Sequence, residues 1–136
     1  MKIAIVVSDF NANVTALMLE RARSHAGSLE VEVSHEVHVP GVFDMPLAVT
    51  RLLRRKDVDG VVLIGAVIKG DTLHDELIAH ATARAATELA IEFDKPVTLG
   101  VTGPGMTTEE AFERIDNARN AVDALVRMVR TLKEIG

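Results

Sequence analysis

The sequence predicts a three-layer α/β/α sandwich on a four-stranded parallel sheet, and three observations carry that expectation. The first is the apolar run that opens Val61–Asp75, VVLIGAVIKGDTLHD; it shows no alternation and so reads as a strand covered on both faces. The second is the order of segments, βαβαβαβα with short connections, which is the pattern of parallel α/β domains. The third is size: 136 residues without repeat, low-complexity tract or linker fit a single domain over 1–136, with room for a core.

Taken in order, Lys2–Val7 is a buried-strand candidate that ends at Ser8-Asp9-Phe10-Asn11. A helix follows from about Asn13, with Val14, Leu17, Met18 and Ala22 on one apolar face, and Gly27-Ser28 stops it. Glu30–Val39 alternates strictly: Val31, Val33, His35, Val37 and Val39 share one side, Glu32, Ser34, Glu36 and His38 the other. One wet face implies an edge strand. Pro40-Gly41 breaks it, and Phe43–Lys56 reads as a helix that tolerates Pro46 in its first turn. After the connector Asp57–Gly60 comes the run described above, and then an alanine-rich helix from about His74 to Phe93. Asp94-Lys95-Pro96 leads to a fourth strand, Val97–Val101, and a loop, Thr102–Met106. Thr107 and Glu110 have capping-box spacing. The helix they open carries Phe112, Ile115, Val122, Leu125, Val129 and Leu132, with Asp116-Asn117 as a candidate interruption. So much Ala and Val on the helices predicts burial of some of them against copies of the same chain.

Composition narrows the function classes. Hydrophobic residues make up 48% of the chain and its four aromatic residues are all Phe, so the core must be aliphatic. A net charge of −5 argues against nucleic acid or an anionic membrane as a partner. Without cysteine there are no disulfides, thiolate nucleophiles or Cys-ligated metals. The start, MKIAIVVSDFN, has too short an apolar run for a signal peptide or a membrane span, so a cytoplasmic protein is expected.

Ligands of parallel sheets sit beyond the carboxyl ends of the strands, and the chemistry-bearing residues fall there. Gly65–Thr72, GAVIKGDT, superficially resembles a nucleotide phosphate loop, but Asp71 stands where that motif needs Lys, which argues against a triphosphatase. A single phosphate held by Thr72 and the free amides of the helix start, or a plain glycine-tightened turn capped by Thr72, both fit the spacing. His74 falls in the first helical turn beside Asp71, Asp75 and Glu76; it is either a surface residue or a proton carrier at neutral pH. His25 and His38 read as surface residues and His35 as a hydrogen-bonded core residue. His74 and His80 are six apart, not the i, i+4 of a metal pair, and no metal site is expected. Phe10-Asn11 and Phe43-Asp44 both follow strands at the same rim. An aromatic beside an amide or acid can stack a planar ring and bond its edge, although each pair also suits a core Phe with a helix cap. Arg114, after Glu113, fits either a solvated helix face or a phosphate contact.

Four segments in register, IAIVVSDFN, VPGVFDMPLA, IGAVIKGDTLHDE and TTEEAFER, resemble the 6,7-dimethyl-8-ribityllumazine synthase family, and the loop VTLGVTGPGMT is similar to its archaeal form. The resemblance implies a flavodoxin-like fold and a transferase of riboflavin biosynthesis that works without a cofactor. It would condense 5-amino-6-ribitylaminouracil with 3,4-dihydroxy-2-butanone 4-phosphate. Residue by residue, it implies that Phe10 stacks on the pyrimidine with Asn11 beside it, and that Gly41, Val42, Phe43 and Asp44 hold the ribityl chain. Ala66, Val67 and Ile68 would offer backbone groups to the pyrimidine edge. Asp71 and Thr72 would lie at the phosphate and His74 would shuttle protons. Leu99 and Arg114 would come from a neighbouring subunit, Arg114 to the phosphate. Leu99 stands where bacterial members often carry an aromatic, Asp44 where glutamate is common, Asp71 where a small residue is common, and Asn120 near a bacterial lysine. The family forms pentamers, in some members packed as an icosahedral 60-mer shell. Two rival readings on the same scaffold are the paralogous archaeal-type riboflavin synthase and a non-catalytic flavin-binding or shell protein. A response-regulator receiver fails because Ala66-Val67 stands where its phosphorylated Asp belongs.

Overall fold

The computed structural model describes residues 1–70 and 74–136. The elements run β1 (Lys2–Ser8), α1 (Ala12–Ser28), β2 (Glu32–Val39), a 3₁₀ turn (Val42–Asp44), α2 (Met45–Leu53) and β3 (Gly60–Ile68). They continue with α3 (His74–Phe93), β4 (Val97–Met106), α4 (Thr108–Glu113) and α5 (Asn117–Ile135). The strands lie in the order β2-β1-β3-β4 and every pair is parallel, which is the expected flavodoxin-like sandwich. Because the chain steps outward to β2 and then returns to the other side of β1, the order reverses between β1 and β3. A crevice opens at such a reversal.

The absence of alternation in β1 and β3 follows from cover on both faces. Ile3, Ile5, Val7, Val62 and Ile64 face one layer, packed with Val14 and Met18 of α1 and Val122, Leu125 and Val126 of α5. Ala4, Val6, Val61 and Leu63 face the other, packed with Met45, Val49 and Leu53 of α2 and Ala86 of α3. The expected apolar face of α1 needs one change. Val14, Met18, Ala22 and Ala26 are buried, but Leu17 is exposed, about 100° round the helix from Met18. On α3 the residues reported buried are Asp75, Thr82 and Ala86, while Leu77 and Ile91 stand exposed. No described helix is long and apolar enough to cross a membrane.

The last helix is interrupted where expected. α4 opens on the full capping box, with Thr107 Oγ1 accepting from the Glu110 amide at 3.2 Å and Glu110 Oε1 accepting from the Thr107 amide at 3.3 Å. It ends at Arg114, and α5 starts after Asp116.

Two expectations are corrected. The segment Thr102–Met106 is not a loop but the end of β4, thrown into a bulge by Gly103-Pro104-Gly105. Between the partner pairs Ala66–Thr102 and Ile68–Met106 the outer strand carries the longer path, and pairing resumes with the Lys69 amide on Met106 O at 2.7 Å. Gly103 has φ of 102°, and a Cβ there would come 2.1 Å from the Val67 carbonyl oxygen. Gly103→Ala combines a left-handed backbone with a main-chain clash, so it is expected to destabilise the fold by roughly 3 kcal/mol. A urea midpoint unchanged from wild type would show that the bulge yields freely.

The second correction concerns His25, which is not a surface residue. Its side chain is 10% exposed and its Nε2 lies 3.1 Å from Asp123 Oδ1, bridging α1 to α5. His38 is exposed as expected, and His35 is only half-buried, with Nδ1 2.9 Å from Ser34 Oγ.

The edge strand β2 is clipped to α1 by a two-pronged ion pair between Arg23 and Glu36, with Arg23 Nε donating to Glu36 Oε2 at 2.7 Å. The hydrogen bonds from Arg23 hold the Glu36 carboxyl below its ordinary pKa. A depressed carboxyl pKa adds stability that is fully present above the unfolded value and is lost as pH falls through the folded one. Acid sensitivity from this pair therefore lies below the ordinary glutamate range. Melting curves at descending pH are expected to fall less steeply for Glu36→Gln than for wild type; equal slopes would remove the pair from the acid response.

Candidate functional site at the carboxyl edge

The crevice at the β1/β3 reversal holds a cavity of about 200 Å³. Its lining comes from the carboxyl ends of both central strands, from the 3₁₀ turn after β2 and from the start of α3: Phe10, Asn11, Val42, Ala66, Val67, Ile68, Gly70, His74, Asp75 and Ile78.

Phe10 follows β1 and is kept at the mouth by the main chain, its amide donating to Pro40 O at 2.9 Å. The ring packs so close to Gly41 that a Cβ there would come 2.8 Å from Phe10 Cδ2. It nevertheless stays 65% exposed, so apolar ring surface is presented to the opening. Asn11 adopts a left-handed backbone, φ 62°, at the start of α1, and its Nδ2 donates to Ala66 O at 3.0 Å. It is therefore a strut between the ends of β1 and β3 as well as part of the wall. Ala66 and Val67 are buried beneath the cavity.

The segment after β2 is placed differently from expectation. Phe10, Phe43 and His74 are expected to share one pocket, but Phe43 lines an adjoining groove with Asp44, Pro46 and Leu47 and with Ala81, Thr82 and Ala85 of α3. The cause is the 3₁₀ turn, whose three residues per turn send consecutive side chains about 120° apart. Val42 points inward and is buried; Phe43 points out and is 64% exposed. Asp44 folds back on its own turn, where its Oδ2 accepts from the Gly41 amide at 3.0 Å.

His74 opens α3, exposed and at the cavity wall, with Asp75 and Glu76 following in the same first turn. Carboxylates at a helix start are favoured by the exposed amides there. Asp71 and Thr72, expected at a phosphate, lie outside the described residues.

Leu99 and Arg114 do not line this cavity. Leu99 sits on the edge strand β4, 44% exposed, in a groove against α3 with Ala79, His80 and Ala83. Arg114 is exposed at the end of α4, and among the described residues its guanidinium makes no ion pair within 4.0 Å. Asn120 borders a further groove with Leu99 and Asn117. Gly70 and Asp75 belong to the stretch that the sequence singles out, although neither is given a role there, and Ile78 escapes the sequence reading. Ile78 had a usable signal, since it stands four positions after His74 on the same helix face.

The sequence matches known proteins along nearly its whole length. The family model described as 6,7-dimethyl-8-ribityllumazine synthase matches residues 1–133. The chain belongs to that family. A lumazine synthase of Methanocaldococcus jannaschii is 50% identical over 133 residues, 98% of this chain and 94% of the relative. One from Methanococcus maripaludis strain C5 is 51% identical over 134 residues, 98% of both chains. Another, from Methanothermobacter thermautotrophicus, is 49% identical over 133 residues, 98% of this chain and 96% of the relative. As a lumazine synthase family member it is a transferase of riboflavin biosynthesis, and the cavity between β1, β3 and α3 is where its chain gathers an aromatic face, main-chain polar groups and an imidazole.

Proposed function

We propose that the protein condenses 5-amino-6-ribitylaminouracil with 3,4-dihydroxy-2-butanone 4-phosphate to form 6,7-dimethyl-8-ribityllumazine, releasing phosphate and water. The observation that carries this reading is the cavity that joins Phe10, the ends of β1 and β3 and His74 in one space. Identity of about half over nearly the whole length with proteins of that name supports it.

In this reading the pyrimidine stacks on Phe10, and its polar edge meets main-chain groups of Ala66, Val67 and Ile68. Gly41, Val42, Phe43 and Asp44 border its ribityl chain, with Asp44 setting the turn rather than reaching far. The amine attacks the ketone, and loss of water leaves a Schiff base. Loss of the C3 proton then expels phosphate from C4, and the enol so formed tautomerises to a carbonyl at C3. Attack of the ribityl-bearing nitrogen on that carbonyl closes the ring with loss of a second water. Each step moves protons between nitrogen, carbon and oxygen, so an imidazole at the wall can take and return them. Holding two ligands together supplies much of the acceleration. Asp71 and Thr72, with amides at a helix start, are the groups this reading assigns to the phosphate.

The far side comes from a second copy. Leu99 and Arg114 lie away from the cavity of their own chain, and α3 leaves Leu77 and Ile91 exposed. A pentamer in which each cavity is closed by Leu99 and Arg114 of the adjoining subunit accounts for both, and a 60-mer shell is the larger assembly of the same contact. The protein acts in the cytoplasm in this reading. The test is direct: purified protein given both substrates should develop lumazine absorbance, at a mass that gel filtration with light scattering places at five or sixty chains. Turnover of lumazine to riboflavin instead, or a monomeric active enzyme, would overturn the reading.

A further inference from the structure

The cavity wall contains a carboxylate that the proposed chemistry does not use. Asp75 is 6% exposed, follows His74 directly and lines the cavity with it. Its Oδ2 accepts from the Gly105 amide at 2.8 Å, across thirty positions of sequence. Gly105 belongs to the bulge of β4, where φ is 76°, and that bulge is pressed onto the end of β3 at Gly103 and Val67. Val67 in turn lines the cavity.

Resting on the lumazine synthase reading above, we propose that Asp75 is a positioning residue: its carboxylate clasps the first turn of α3 to the β4 bulge and so fixes the His74 imidazole over the cavity. Three physical facts favour this. A buried carboxylate needs a donor, and a backbone N–H to an ionised acceptor is among the stronger hydrogen bonds. The first turn of a helix is where a carboxylate is best tolerated. The bulge is itself anchored, because β4 pairs with β3 on either side of it, at Ala66–Thr102 and again where the Lys69 amide donates to Met106 O at 2.7 Å. One end of the clasp is therefore fixed and the other carries the imidazole. Misplacing a catalytic group by about 1 Å can cost on the order of 10²-fold in rate.

The experiment uses the assembled enzyme and both substrates. Asp75→Ala is expected to lower kcat by about 10-fold to 10²-fold with KM for either substrate little changed. Asp75→Asn, whose amide oxygen still accepts from Gly105, is expected to recover most of kcat. The double variant Asp75→Ala with His74→Ala should be no slower than His74→Ala alone, within about twofold, because the two changes act on one function. Hydrogen exchange of the peptide containing Gly105, read by mass spectrometry, should quicken in Asp75→Ala and not in Asp75→Asn. Should Asp75→Ala fail to fold, Asp75→Glu moves the carboxylate by one methylene and is expected to lower kcat in the same sense. Multiplying losses in the double variant, or a fall in kcat for Asn equal to that for Ala, overturns the clasp. A wild-type enzyme that forms no lumazine overturns the functional reading instead, and the Gly105 exchange result then stands or falls by itself.

Discussion

Replacing His74 by alanine is expected to slow lumazine formation by about 10²–10⁴-fold, the usual contribution of one general acid–base group, without abolishing it. Residual turnover is expected because the remaining wall still brings the two ligands together, and proximity alone is worth a large factor. The loss should fall on kcat, since His74 is exposed at the cavity wall whereas Val42 and Ala66 in the same wall are buried. Steady-state rates at saturating concentrations of both substrates check this, with the oligomer mass measured in parallel. Complete loss in an intact assembly would mean that His74 forms a bond or orders a ligand beyond moving protons. A change within a few-fold would return it to the class of ordinary helix-start residues.

Arg114→Ala should have the second large effect, and of a different kind. A guanidinium on a phosphate makes charge-assisted, two-pronged contacts, so its truncation is expected to raise KM for the butanone phosphate by about 30-fold, about 2 kcal/mol. KM for the pyrimidine should move much less. Arg114 is exposed at the end of a short helix, so the fold itself has little to lose. The proposed contribution across subunits adds a second readout. Co-expressed Arg114→Ala and His74→Ala chains should assemble some cavities in which both groups are intact, and so, at butanone phosphate well below the raised KM, exceed the rate of either parent. Equal rises in both KM values would remove Arg114 from the phosphate; no recovery on mixing would place it in its own chain's site.

How far the sequence spoke for this arrangement depended on whether a feature was local. β1 and β3 were legible because an unbroken apolar run has one physical reading in a parallel sheet, and the start of α3 because polar residues follow that run at once. The end of β4 was not: Gly103-Pro104-Gly105 has the composition of a loop, and only pairing with β3 makes it a bulge. His25 was misjudged for the same reason, its partner Asp123 lying 98 residues away. Phe43 turned out of the shared pocket because the residues after Gly41 begin as a 3₁₀ turn, a choice that helical periodicity cannot register. Asp75 was legible as a member of the polar cluster after β3 but its role was not, since that depends on the Gly105 amide.

The strut from Asn11 to the carbonyl of Ala66 has a consequence for how this surface can change over time. Its anchor at β3 is peptide, not side chain, so any compact residue at position 66 would preserve it, whereas Asn11 has no substitute that donates from the same place. A compact substitution should therefore be tolerated at buried position 66 and punished at exposed position 11, the reverse of what burial alone would lead one to expect.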